Sequence, residues 1–269
     1  MEPFVQRQER FFEIAVWKRI PDLVAGFSTR LHGVSETPYA ELNVGFHVGD
    51  DRKNVLLNRQ LLANDLRFPL DRWVCGEQVH RNRIQKVTAR DAGKGAIALE
   101  TSLRGVDGLY TAERNLLLTC LFADCVPIYF LENEKPLIGI AHAGWRGTVQ
   151  KIAVNMIDCW IKEEGVRPEN IEVVIGPAIS KQQYEVDQNV IAHVDECLTE
   201  EDKRPYDKKE NGNYLLDLRE LNKQLLVEAG LKEEQIKLSS LCTATDRRFF
   251  SHRRDRGKTG RMIGFIGRR

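Results

Sequence analysis

The chain has no apolar stretch approaching a bilayer span, and its first residues, Met1-Glu2-Pro3-Phe4-Val5-Gln6-Arg7, lack the apolar core of a signal peptide. A cytoplasmic protein is the expectation. Neither charge sign is in excess, since 40 Lys and Arg against 39 Asp and Glu leave a formal +1. No whole-molecule field therefore draws it to nucleic acid or to an anionic membrane. None of the six cysteines (Cys75, Cys120, Cys125, Cys159, Cys197 and Cys242) belongs to a Cys-x-x-Cys pair. In a reducing compartment they read as thiols, not a disulfide framework. Several chemical signatures are also missing. Gly257-Lys258-Thr259 lacks the spaced upstream glycine of a P-loop, and there is no Gly-x-Ser-x-Gly elbow, Gly-x-Gly-x-x-Gly turn or His-Glu-x-x-His helix. The pattern of the zinc base deaminases fails too, because His80 is followed by Arg81-Asn82 and Cys125 precedes its proline.

What is present is an intermixed series of strands and helices without repeats or a linker, which argues for a single α/β unit over residues 1–269. Phe11–Lys18 and Leu23–Ser28 read as strands. Asp51 caps a helix running to about Leu66, with Val55, Leu56, Leu61 and Leu62 at roughly helical intervals. Asn115–Phe122, Pro127–Leu131 and Leu137–Ala141 are apolar runs short enough to be buried strands, and Asn133–Pro136 is a turn. Val149, Ile152, Met156 and Trp160 predict an amphipathic helix over Gly147–Glu164. Strand Ile171–Ile175, helices Val186–Cys197 and Asp217–Glu228, and strands Ile236–Leu241 and Met262–Ile266 complete the reading, with Glu200–Asn213 as a solvated loop.

Two imidazoles and a thiol stand in turn-like, Gly- and Ala-rich surroundings: Gly76-Glu77-Gln78-Val79-His80, Ala123-Asp124-Cys125-Val126-Pro127 and Ala141-His142-Ala143-Gly144-Trp145-Arg146-Gly147. Three ligands of this kind hold a zinc and leave a fourth position open, the mark of a catalytic rather than a structural site. If the strands ending near Cys125 and His142 are neighbours, those two meet and His80 comes in from a flanking loop. Asp124 is placed to accept from an imidazole N–H or to move a proton. Arg146, at the start of a helix, is a candidate for phosphate or carboxylate, with a surface salt bridge as its ordinary alternative. Trp145 offers a stacking face, although tryptophans usually serve the core. The basic and aromatic run Arg247–Arg254 has no supporting basic stripe elsewhere, so it reads as an anion-binding loop or partner contact and not as a nucleic-acid surface.

Over nearly its full length the chain resembles the YfiH-like family, also called the laccase-domain or multicopper polyphenol oxidoreductase family. The matching segments are Phe27-Ser28-Thr29-Arg30 with Gly33-Val34-Ser35, Leu42-Asn43-Val44-Gly45, His47-Val48-Gly49-Asp50, Asn58-Arg59, the three ligand segments, Gly176-Pro177-Ala178-Ile179, Tyr184-Glu185-Val186, Cys242-Thr243, and Phe249-Phe250-Ser251 through Thr259-Gly260-Arg261. His252 departs from the tyrosine expected there. The resemblance implies a mixed α+β fold layered α/β/β/α, zinc (copper as the alternative) on His80, Cys125 and His142, and phosphorolysis of adenosine, inosine, guanosine and methylthioadenosine, with adenosine deaminase activity beside it. In deamination a metal-activated water would attack purine C6. Phosphorolysis would instead need an anion site, for which Arg30, Arg146 and Arg59 are candidates, and ribose contacts, for which Ser28 and Asn43 are. Three rival readings stand beside it. A copper-dependent polyphenol oxidase needs clustered histidines, whereas the six here are dispersed. A cysteine hydrolase would use Cys125 with His142, a cell-wall precursor editing enzyme being one variant. A noncatalytic interaction module would use zinc only for stability.

Overall fold

The computed structural model describes residues 1–269 and has two stacked six-stranded sheets, a small third sheet, and helices on both outer faces. In the first sheet the strand order is Phe4–Gln8, Phe11–Ile14, Leu23–Ser28, Met262–Arg268, Leu116–Phe122, Trp73–Cys75. In the second it is Ile236–Leu238, Ile171–Ile175, Val126–Glu132, Ile138–Ala143, Gly108–Thr111, Ile84–Lys86. Both mix parallel and antiparallel neighbours. Side-chain alternation along these strands sorts the apolar residues into three cores. Phe27, Phe122, Met262 and Ile266 of the first sheet meet Tyr129, Leu131, Ile138 and Ile140 of the second. The opposite face of the first sheet, with Leu117, Ile263 and Phe265, packs on Leu62, Ala63 and Leu66 of helix Arg52–Leu66. The opposite face of the second, with Ile128, Phe130 and Val173, packs on Met156, Ile157 and Trp160 of helix Ile152–Glu164 and on helices Gln188–Asp195 and Leu218–Glu228. The layering is the α/β/β/α order expected.

Local chemistry explains the helix boundaries. The Asp51 carboxylate accepts from the Lys53 N–H, Asp187 from Val190 and Asp217 from both Arg219 and Glu220, so these three helix starts have one or two of their free N–H groups satisfied. The helix expected over Gly147–Glu164 is two helices, Trp145–Val149 and Ile152–Glu164, because Lys151 adopts a left-handed conformation at φ 59°. The strand expected over Phe11–Lys18 ends at Ile14 and turns into a 3₁₀ segment at Ala15–Trp17. Within Glu200–Asn213, Tyr206–Lys208 is a strand, an edge member of the third sheet beside Tyr214–Leu216. Edge strands keep charged, exposed side chains, which is why the composition resembled a loop. No helix is long and apolar enough to cross a membrane.

Candidate metal centre

Strand Leu116–Phe122 of the first sheet and strand Val126–Glu132 of the second are joined by only three residues, Ala123-Asp124-Cys125. This short crossover sets Cys125 at one end of the stacked sheets. Pro127 pairs with His142 on the adjacent strand, so the two candidate ligands come from neighbouring strands. His80 arrives from the loop after Trp73–Cys75. The ligand atoms of His80, Cys125 and His142 lie within 4.8 Å of one another, and the two imidazoles meet edge to face with centroids 4.8 Å apart. A Cβ on Gly144 would stand 3.1 Å from Cys125 Sγ and 3.2 Å from His80 Cδ2, so glycine leaves the cluster its space.

The group that organises this cluster is Asp107, fully buried beside strand Gly108–Thr111. One oxygen lies 3.0 Å from His142 Nδ1, which leaves Nε2 for a metal. The same carboxylate accepts three consecutive backbone N–H groups, from Val79 at 3.1 Å, His80 at 2.9 Å and Arg81 at 3.0 Å. These bonds hold His80 in its left-handed conformation at φ 59° and aim its ring at Cys125. The imidazole acceptor expected of Asp124 is thus Asp107. Asp124, itself at φ 90°, accepts from Thr243 Oγ1 at 2.7 Å, Ser251 Oγ at 3.0 Å and the Arg253 N–H at 2.7 Å. Fixed by three donors, it ties the segment at 242–253 to the crossover and sets the turn that presents Cys125, an arrangement that suits an anchor better than a proton shuttle.

Burial alone would raise the Cys125 thiol, but the neighbouring His142 charge and hydrogen bonds from His142 and His80 outweigh it and bring the pKa down to about 6. Burial likewise opposes charge on His142, and the Cys125 thiolate with Asp107 raises it to about 9. Without metal the pair at neutral pH is thiolate and imidazolium. Because the shift is a lowering, iodoacetamide should alkylate metal-free Cys125 at a nearly constant rate above pH 7, slowing about tenfold per unit below about 6. Mass spectrometry of the modified peptide checks this; a rate that keeps climbing to pH 9 contradicts it.

The remaining predicted residues are dispersed. Arg59 is fully enclosed, donating to the carbonyls of Val44, Gly95 and Ala96, and is a structural clamp between loops. Arg30 donates to the Ala40 carbonyl, stacks on Phe250 at 4.5 Å and lies 4.0 Å from Asp255. Ser28 is buried and accepts from the Ile263 N–H. Asn43, also buried, bonds Asp50 and the N–H groups of Gly45 and Arg261. Arg146 is exposed, has no acidic partner, stacks on Trp145 at 4.3 Å and lines a cleft of about 610 Å³ with Lys151, Asn155 and His193. His252 is exposed and folds over Gly257. Sequence reading did not single out Asp107, Arg261 or Tyr184 as site residues. Tyr184 feels the charges of Cys125, Arg253, Asp124 and Arg146, and burial pushes its hydroxyl up, so it remains an O–H donor.

The residues present fit a transition metal: a thiolate and two imidazoles within reach of one ion, with the second nitrogen of His142 held by a carboxylate. Such a set accepts zinc or copper. Only two of the six histidines enter the cluster. Comparison with known proteins adds the lineage. A family described as multi-copper polyphenol oxidoreductase laccase matches residues 24–269. Purine nucleoside phosphorylase YlmD of Geobacillus stearothermophilus is 51% identical over 247 residues, 91% of this chain and 90% of the relative. The Bacillus subtilis protein of the same name is 46% identical over 247 residues, 91% and 88% of the two chains. The crystal structure of YlmD from Geobacillus stearothermophilus superposes with a TM-score of 0.97 at 47% identity over 100% of both chains, and the Neisseria meningitidis protein NMB0706 with 0.80 at 27% over 99% of both.

Proposed function

The chain belongs to the multi-copper polyphenol oxidoreductase laccase family, and from that premise we propose that it is a metal-dependent purine nucleoside phosphorylase of the cytoplasm, acting as one domain. The observation that carries this reading is the three-ligand cluster of His80, Cys125 and His142 in a chain 51% identical to a protein named for that activity. The substrates proposed are adenosine, inosine, guanosine and methylthioadenosine, with adenosine deamination at the same centre. Zinc is the metal proposed, on the strength of the thiolate and imidazole donors. Held by His80, Cys125 and His142, it would supply Lewis-acid polarisation.

The chain's own groups do the rest. Asp107 fixes the tautomer of His142 and the loop of His80, so the ligands need not reorganise. Tyr184 offers an un-ionised hydroxyl toward the cluster, able to donate to a ribose or purine acceptor. Arg146 and Arg253 leave the mouth cationic, favouring an anionic second substrate, and Arg253 is held in place by the Glu185 carbonyl and the Tyr184 ring. In phosphorolysis, phosphate oxygen forms the bond to ribose C1′ as the C1′–N bond breaks and the electron pair leaves with the base. Deamination needs no phosphate: water oxygen forms the bond to purine C6 as the bond to the exocyclic nitrogen breaks and ammonia leaves.

Product analysis by chromatography tests both halves. Metal-quantified protein incubated with adenosine should give adenine and ribose 1-phosphate only when phosphate is present, and inosine without it; His80→Ala should lose both. No consumption of any of the four nucleosides would overturn the reading. One observation favours a second reading: Cys125, His142 and Asp107 also form a thiolate–imidazolium–carboxylate series of the kind a cysteine hydrolase uses. That reading requires full activity in metal-free protein and its abolition by alkylation.

A further inference from the structure

We infer that Arg261, with His47 beside it, forms the oxyanion subsite that holds inorganic phosphate next to the metal cluster. The inference rests on the phosphorolysis reading and names the residue that seats the second substrate. Arg261 immediately precedes strand Met262–Arg268, and Met262 pairs with Phe122, the last residue before the crossover that carries Asp124 and Cys125. The Phe122 ring in turn packs 5.4 Å from the His142 ring. Arg261 therefore stands at the same end of the sheets as the triad, close enough to feel the charges of both Cys125 and Asp124.

Its guanidinium is half-buried, and its hydrogen bonds go to backbone carbonyls and to no carboxylate. Nη1 donates to the carbonyls of Thr259 at 3.1 Å and Gly260 at 3.0 Å, and the other N–H groups are free. Asp124 forms no ion pair with it, its oxygens being taken by Thr243, Ser251 and the Arg253 N–H, although its charge reaches Arg261 through space. The Cys125 thiolate would be taken up by a metal held with His80 and His142. A half-buried guanidinium with free planar donors beside the cluster matches a tetrahedral oxyanion. The position is built: Asn43 Oδ1 accepts from the Arg261 backbone N–H at 2.9 Å, and the side chain lies across Gly45, where a Cβ would meet Arg261 Cγ at 2.8 Å. His47 follows on the same loop, where burial first and then the charges of Arg261 and Arg59 disfavour its protonation, leaving one imidazole N–H to donate. Of the three cations that sequence pointed to, Arg59 is fully enclosed on backbone carbonyls, Arg30 is held by the Ala40 carbonyl and the Phe250 ring, and Arg146 stands exposed at the mouth.

Titrating metal-loaded protein with inorganic phosphate and following ³¹P line broadening tests the subsite directly. Wild type should bind phosphate, Arg261→Met should weaken it at least tenfold, Arg261→Lys should retain part, and His47→Ala should weaken it about threefold. Should Arg261→Met fail to fold, the lysine and His47 variants decide the matter. Equal phosphate binding in wild type and variants, or none in wild type, overturns the inference. A nucleoside 5′-monophosphate in place of phosphate separates the sources of the anion: binding of the nucleotide alone contradicts a seat for free phosphate. The two failures are distinguishable. Phosphate binding lost in Arg261→Met without ribose 1-phosphate from wild type sinks phosphorolysis and keeps the subsite, whereas turnover with an unchanged phosphate KM in Arg261→Met sinks the subsite alone.

Discussion

Asp107→Ala should cost about 3–5 kcal/mol of stability and lower the melting temperature by about 10 °C in a differential scanning measurement. The carboxylate is fully buried and accepts from three successive backbone N–H groups and from His142 Nδ1, so its loss leaves a buried imidazole unpaired and frees the His80 loop from its left-handed turn. Asp107→Asn separates shape from charge. It retains an acceptor for Nδ1–H, yet its NH₂ would face backbone N–H groups, and it no longer stabilises positive charge on His142. The metal-free fold should survive in the asparagine variant while metal affinity falls about 10–100-fold in a competition titration with a chelator. Wild-type affinity in Asp107→Asn would mean that this carboxylate shapes the loop but does not tune the centre.

The second large effect is at Cys125. Cys125→Ala removes the thiolate and leaves two imidazoles, too few ligands to retain zinc against a chelator. Metal content should drop to background and nucleoside turnover with it, a loss of at least a thousandfold. The metal-free fold should lose less stability than in Asp107→Ala, because His142 loses the Cys125 charge but keeps its bond to Asp107. Circular dichroism melts and metal analysis of the same sample check both halves together. Retained turnover would remove metal chemistry from the account; loss of turnover with metal retained would point to Cys125 as nucleophile.

How far the sequence exposed these features depended on how much of each was local. The triad was legible because histidine and cysteine are scarce here and stand beside glycine and alanine at strand ends, so residue type and element pattern spoke together. Asp107 was not, being one of 39 acidic residues and deriving its role from three segments that meet only in the folded chain. Its one local sign is a charge inside the apolar run Val106–Tyr110. Arg59 misled in the other direction. It falls on the buried stripe of Val55, Leu62 and Leu66, whereas the spacing of Val55, Leu56, Leu61 and Leu62 points to a face on which Leu56 is exposed. The strands Trp73–Cys75, Ile84–Lys86 and Tyr206–Lys208 are three residues each, too short for alternation to register. The split at Lys151 has no such sign, since lysine rarely adopts a left-handed backbone and nothing in Gln150-Lys151-Ile152 marks a break.

Activity as a function of metal occupancy puts the central claim to its most direct test. Protein stripped by chelator and reloaded stepwise with zinc, and in parallel with copper, would be assayed for phosphate-dependent ribose 1-phosphate from inosine at each occupancy. The account predicts no product from the stripped protein, a linear rise with zinc, and a plateau at a single equivalent per chain held by His80, Cys125 and His142. Full turnover in the stripped protein, insensitive to added metal, would contradict it.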